Sequence, residues 1–127
     1  MGYNILIVDD SKLARMAVAR ALSTLRPDWI RIEAANAAEA LALVRSSRID
    51  VTLLDYNMPG QDGVSLAAEL RELNPDMPVA VISANHQTEV VAKSREAGAT
   101  FMTKPISDKA LADFLDAANH RLVAAGK

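Results

Sequence analysis

The chain contains no cysteine. Disulfides are therefore excluded, and so are metal sites built on thiolates; the usage fits a reducing cytoplasm. No apolar run approaches the length of a membrane-spanning helix. The opening Met1-Gly2-Tyr3-Asn4 has no basic stretch or small-residue cleavage site and passes directly into an apolar run, so it does not read as a secretion signal. Leu6 occupies the position where N-myristoylation calls for Ser or Thr. Charge of one sign is also lacking: the formal net charge is −2, which gives no support for nucleic-acid or anionic-membrane binding. There is no low-complexity linker and no charge block. The 127 residues suit one domain, here taken as 1–127, large enough to bury a core without staples.

What is present is alternation. Five short apolar runs lie at residues 5–8, 30–34, 51–54, 79–82 and 100–103, separated by segments with helical spacing. Leu66, Leu70 and Leu73 recur at one-turn intervals, as do Leu111, Leu115, Ala118 and Leu122. Asn36 with Glu39 forms a capping box for the second helix, Ser11 and Ser107 can cap the first and last, and Gly98 suits the left-handed close of the fourth, over 87–97. The pattern predicts an α/β fold of five strands and five helices, with a parallel, doubly wound sheet. Runs 5–8 and 51–54 are almost continuously apolar, as centrally placed strands are, whereas Ile30, Ile32 and Ala34 alternate with Arg31 and Glu33, as on an edge strand. The order 2-1-3-4-5 satisfies both and places a ligand site beyond the carboxyl ends of strands 1 and 3.

Those strand ends carry chemistry. Strand 1 leads into Asp9-Asp10, strand 3 into Asp55, strand 4 into Ser83 and strand 5 into Lys104-Pro105. Gathered in one crevice, each pair of carboxylates about 4 Å apart would repel by about 4 kcal/mol at an effective dielectric of about 20. One lysine cannot neutralise three acids. An all-oxygen donor set favours a hard cation such as magnesium, which suits a few carboxylates with water and phosphate. A carboxylate at such a metal can attack phosphorus and form an acyl phosphate, with Lys104 and the metal offsetting the transferring charge and Ser83 donating to the phosphoryl oxygens. Each residue alone has a plainer reading. The acid pair suits a helix amino terminus, Asp55 a turn, Ser83 a strand end, Lys104 a solvated surface and Phe101 a core. His86 and His120 have no partner at ligand spacing and read as surface residues, and Trp29 reads as packed at the sheet edge.

Asp9-Asp10, Asp55, Ser83 and Lys104-Pro105, with Asp55-Tyr56-Asn57-Met58-Pro59-Gly60 and Asp62-Gly63, resemble over the whole chain the signature of the response-regulator receiver domain of two-component and chemotaxis signalling. The resemblance implies a flavodoxin-like receiver fold and a phosphorylation switch, not an enzyme, though one that assists its own phosphorylation and its slow dephosphorylation. It implies Asp55 as phosphoacceptor, and magnesium (or manganese) held by Asp10, Asp55 and the Asn57 backbone carbonyl, with Asp9 acting through water. Ser83, Lys104 and the backbone N–H of Ala84 would contact the phosphoryl group. The Lys104–Pro105 bond would be cis, Phe101 with Ser83 would form the switch, and Asn57 and Asn85 would tune lifetime. A histidine kinase or phosphotransfer protein would supply the phosphoryl group. A downstream protein would read the surface of helix 4, strand 5 and helix 5, and a phosphatase could reset it. Direct nucleic-acid and membrane partners are not expected, and the setting would be cytoplasmic. Whether the chain stands alone or belongs to a larger regulator is left open, as are its kinase, target and oligomeric state.

Other functions fit less well. A phosphatase of the haloacid-dehalogenase type places a second Asp two residues after its nucleophile, where this chain has Asn57, which cannot supply a proton in the same way. A flavin or nucleotide module needs a phosphate-cradling loop after strand 1, where Asp9-Asp10 stands instead. A degenerate receiver would not retain the complete acidic set.

Overall fold

The apolar runs at 5–8 and 51–54 lie side by side, with Ile5 opposite Val51 and Val8 opposite Leu54. The computed structural model describes residues 2–58, 60–84 and 88–127. In chain order the elements are β1 (Asn4–Val8), α1 (Lys12–Leu25), β2 (Ile30–Ala34), α2 (Ala37–Ser46), β3 (Val51–Asp55), α3 (Gly63–Leu73), β4 (Val79–Ser83), α4 (Thr88–Glu96), β5 (Thr100–Thr103) and α5 (Asp108–Ala124). The strands form one parallel sheet ordered β2-β1-β3-β4-β5, which is the expected order and places β2 at an edge.

Successive side chains on a strand point to opposite faces, and the two faces build separate cores. Ile5, Ile7, Leu53 and Ile82 pack with Leu22 of α1 and with Leu111, Phe114, Leu115, Ala118 and Leu122 of α5. Leu6, Val8, Leu54 and Val81 pack on the other face with Ala37 and Ala40 of α2 and with Leu66, Ala67 and Leu70 of α3. The central strands are almost continuously apolar because both faces are covered, with Thr52 buried among them. Trp29 is buried against the first core, edge-on to Tyr3 at 5.4 Å between ring centroids, with the Arg26 guanidinium 5.5 Å over its ring.

The helices start where the cap residues predict. Ala14, Glu39 and Ala110 donate backbone N–H groups to the side chains of Ser11, Asn36 and Ser107. The capping box of α2 is shifted by one residue on its return arm, since the Glu39 carboxylate accepts from Ala35 N. Gly98 lies at φ +78° after α4.

Two apolar positions depart from the pattern. Ile30 is 61% exposed, because cover on β2 grows only toward its carboxyl end, where Ala34 meets Ala37 and Ala40. Leu73, the last residue of α3, has run past the sheet and is exposed, while Leu66 and Leu70 are fully buried. α4 buries only Val90 and Ser94, with Val91 and Ala97 half-buried, so it presents a narrow face to the domain. Gln87, placed at the start of this helix by the sequence, lies outside the described residues.

Candidate functional site

β1 ends at Val8, and Asp9 is held in line with the sheet by its N–H, which donates to Ala34 O at 3.2 Å. Its side chain turns back to cap the next turn, accepting from Ser11 N at 2.9 Å through Oδ1. Asp9 is buried, and Asp10 beside it is exposed. Asp55 is the last residue of β3 and lies opposite Ile82 of β4. The chain then stays tied to β4, because Tyr56 N donates to Ile82 O at 2.8 Å. Ser83 ends β4, fully buried, and its carbonyl accepts from Lys104 N at 2.9 Å. That bond sets Lys104 immediately beyond β5, followed by a cis peptide to Pro105.

The ammonium of Lys104 reaches the acids. Its Nζ lies 2.7 Å from Asp55 Oδ1 and 3.4 Å from Asp9 Oδ2. Asp9, Asp10 and Asp55 each offer a carboxylate oxygen within 4.8 Å of the others. Burial pushes the Asp55 carboxyl above the ordinary carboxylate range; the hydrogen bond from Lys104 opposes this, and the charges of Asp9 and Asp10 reinforce it. Burial alone would lower the pKa of Lys104, but its hydrogen bond to Asp55 and the fields of Asp55 and Asp9 raise it above its usual value. The acids thus favour the charged form of Lys104, whereas burial opposes the charged form of Asp55. A hard divalent cation fits this donor set: the donors are all oxygen, they come from three residues, and one ammonium leaves negative charge uncompensated.

Asn57 is exposed in the loop after β3, and Ala84 is exposed just after Ser83. Phe101 is half-buried in β5 opposite Val81, and it belongs to neither apolar core among the described residues. Asn85, Pro59 and His86 lie outside the described residues, whereas His120 is exposed on α5.

Two residues whose roles the sequence pattern does not reveal, Arg15 and Gly63, border the acids. Arg15 of α1 donates from Nη1 to Asp9 O at 2.6 Å and pairs through Nε with Glu33 of β2 at 2.9 Å. Its position one helical turn beyond Ser11, facing the strand that carries Glu33, was the available signal. Gly63 closes the Asp62-Gly63 pair that follows the β3 loop. A Cβ there would stand 2.6 Å from Asp55 O and 2.9 Å from Tyr56 Cα, so only glycine lets α3 start this close behind β3.

A doubly wound parallel sheet that gathers three carboxylates and an ammonium at its switch point defines an α/β domain whose donor set suits a hard cation. Comparison with known proteins gives the family. The model of the response regulator receiver domain matches residues 5–116. The positive alginate biosynthesis regulatory protein of Pseudomonas aeruginosa is 38% identical over 120 residues, covering 91% of this chain and 47% of that protein. Sporulation initiation phosphotransferase F of Bacillus subtilis is 30% identical over 106 residues, covering 83% and 84% respectively. The solved structure of chemotaxis protein CheY4 of Vibrio cholerae superposes with a TM-score of 0.82 at 26% identity, covering 93% of this chain and 99% of that one. The chain belongs to the response-regulator receiver family, and so is a phosphorylation-activated signalling switch.

The chain spans about half the length, or less, of several of the curated regulators it matches. Receiver domains are phosphoacceptors, generally without enzymatic activity of their own; they bind magnesium at an acidic pocket and interact with histidine kinases or phosphotransfer proteins. No helix among the described residues is long and apolar enough to cross a membrane.

Proposed function

We propose that Asp55 is the phosphoacceptor of this switch and that residues 1–127 act as one receiver unit. The observation that carries this reading is the placement of Asp55: a buried strand-end carboxylate, 2.7 Å from the Lys104 ammonium, with carboxylates of Asp9 and Asp10 within 4.8 Å. In the transfer, an Asp55 oxygen bonds to the phosphorus of a phosphohistidine. The nitrogen–phosphorus bond breaks and its electron pair returns to the imidazole. Asp10, Asp55 and the Asn57 carbonyl would hold magnesium, or manganese in its place, with Asp9 acting through water; such a cation would supply positive charge beside the transferring group. Lys104 offsets the remainder, and Ser83 with the Ala84 N–H supplies hydrogen bonds to the product. The same groups assist a slow loss of the phosphoryl group, at a rate tuned by Asn57 and Asn85.

Phosphorylation replaces one negative charge at Asp55 by about two. Ser83 and Phe101 carry the response to the surface of α4, β5 and α5, where a downstream protein binds; the narrow buried face of α4 and the half-buried Phe101 support this path. The donor is a histidine kinase or phosphotransfer protein in the cytoplasm, and a dedicated phosphatase can reset the switch.

Intact-mass measurement after incubation with magnesium and acetyl phosphate tests the assignment. The wild-type chain gains one phosphoryl group and Asp55→Asn gains none. Equal modification of the two would refute the acceptor assignment.

A further inference from the structure

Asp9 is gripped on every side. Its N–H donates to Ala34, its Oδ1 accepts from Ser11 N, its Oδ2 faces Lys104, and its carbonyl oxygen accepts from Arg15 Nη1 at 2.6 Å. That carbonyl belongs to the peptide joining Asp9 to Asp10. The Arg15 contact therefore bears on the plane of the peptide that carries Asp10, the most exposed of the three acids.

Arg15 is braced in turn. Its Nε pairs with Glu33 Oε1 at 2.9 Å, and its side chain is only 14% exposed, against 44% for Glu33. The guanidinium fork thus spans from β2 to the β1–α1 turn using two different nitrogens. A planar fork can hold two acceptors in fixed relation, which a lysine ammonium on a flexible stem does less well. The contact goes to a carbonyl and not to a carboxylate, so Arg15 leaves the acid oxygens available to a cation.

We propose that Arg15, braced by Glu33, is a positioning residue for the divalent cation: it presets the Asp9–Asp10 peptide so that Asp10 meets the metal without reordering. This rests on the reading of the acid cluster as the magnesium site. Partners that orient metal ligands from behind commonly change metal affinity by about 10- to 100-fold when removed.

The test is magnesium titration of the full chain by calorimetry, without any phosphodonor, alongside thermal unfolding. Arg15→Met is expected to weaken magnesium binding about tenfold or more. Glu33→Ala, which leaves α1 untouched, should weaken it in the same direction and carries the test if Arg15→Met does not fold. Arg15→Lys keeps the charge but not the fork and should remain weaker than wild type. Arg26→Met, which breaks the ion pair to Asp116 at the far end of α1, should leave the affinity unchanged. Wild-type affinity in Arg15→Met and Glu33→Ala, full rescue by Lys, or an equal loss in Arg26→Met would each overturn the proposal. If those variants bind as wild type while Asp10→Ala loses binding, only the role of Arg15 falls. If wild type itself binds no magnesium, the metal-site reading falls with it.

Discussion

The Lys104 ammonium lies 2.7 Å from Asp55 Oδ1, although the two residues close different strands with β4 between them. One cation serves two buried acids, since the same nitrogen is 3.4 Å from Asp9 Oδ2. With Lys104→Ala, phosphorylation of Asp55 should continue with magnesium present, while the conformational response fails. NMR shifts on adding beryllofluoride check this: changes expected across α4, β5 and α5 in wild type should be absent in the variant. A full response in Lys104→Ala would remove its role in the switch.

Burial raises the Asp55 pKa in the folded chain above its ordinary value of 3.8. An acid whose folded pKa is raised binds protons more tightly when folded, so its ionisation weakens folding as pH rises above the unfolded value. Without magnesium, Asp55→Asn should therefore be more stable than wild type at neutral pH. The gap should shrink as pH falls through the raised folded pKa toward the ordinary value of 3.8. Lys104 stays charged throughout that window, since its pKa is raised from 10.5, so it does not alter the sign. Urea midpoints of both proteins at several pH values measure the gap; one that widens on acidification contradicts the account.

Magnesium should raise the unfolding temperature by mass action, and excess EDTA should remove the gain. At a hundredfold excess over Kd the stabilisation is about 2.7 kcal/mol. Asp10→Ala should need far more magnesium for the same gain, whereas Asp116→Ala on α5, which gives up only an exposed ion pair with Arg26, should titrate like wild type.

At Gly63 a methyl group would collide with backbone atoms of Asp55 and Tyr56, which cannot swing aside as a side chain could. Gly63→Ala should cost about 1–3 kcal/mol and slow acceptance of the phosphoryl group, because relief requires moving the end of β3. Denaturant unfolding with a timed acetyl phosphate reaction reads both effects, and wild-type values in both would show that α3 shifts instead.

The two phenylalanines should behave differently. Phe114 is buried in the core under α5, so Phe114→Ala should lose about 3–5 kcal/mol. Phe101 is half-buried outside both cores. Phe101→Ala should lose clearly less stability while changing the beryllofluoride-induced shifts. Equal losses for the two would mark Phe101 as an ordinary core residue.

Much of this was legible in the sequence, for local reasons. Apolar runs of strand length, helical leucine spacing and the caps at Ser11, Asn36 and Ser107 all depend on residues near one another in the chain. The near-continuous apolarity of residues 5–8 and 51–54 against the alternation at 30–34 pointed to central strands 1 and 3 and an edge strand 2, as the order β2-β1-β3-β4-β5 has them. Because strand ends in such a sheet share one edge, Asp9, Asp10, Asp55, Ser83 and Lys104 could be placed together before any distance was known. The tertiary structure alone decided which partner each group takes: that Lys104 bridges Asp55 and Asp9, that Arg15 reaches back to the Asp9 carbonyl while braced on Glu33, that Gly63 is needed for backbone clearance, and that Ile30 and Leu73 stay uncovered. These depend on the register between strands and the path of each helix over the sheet, set by packing among residues distant in sequence, which periodicity and local propensity do not encode.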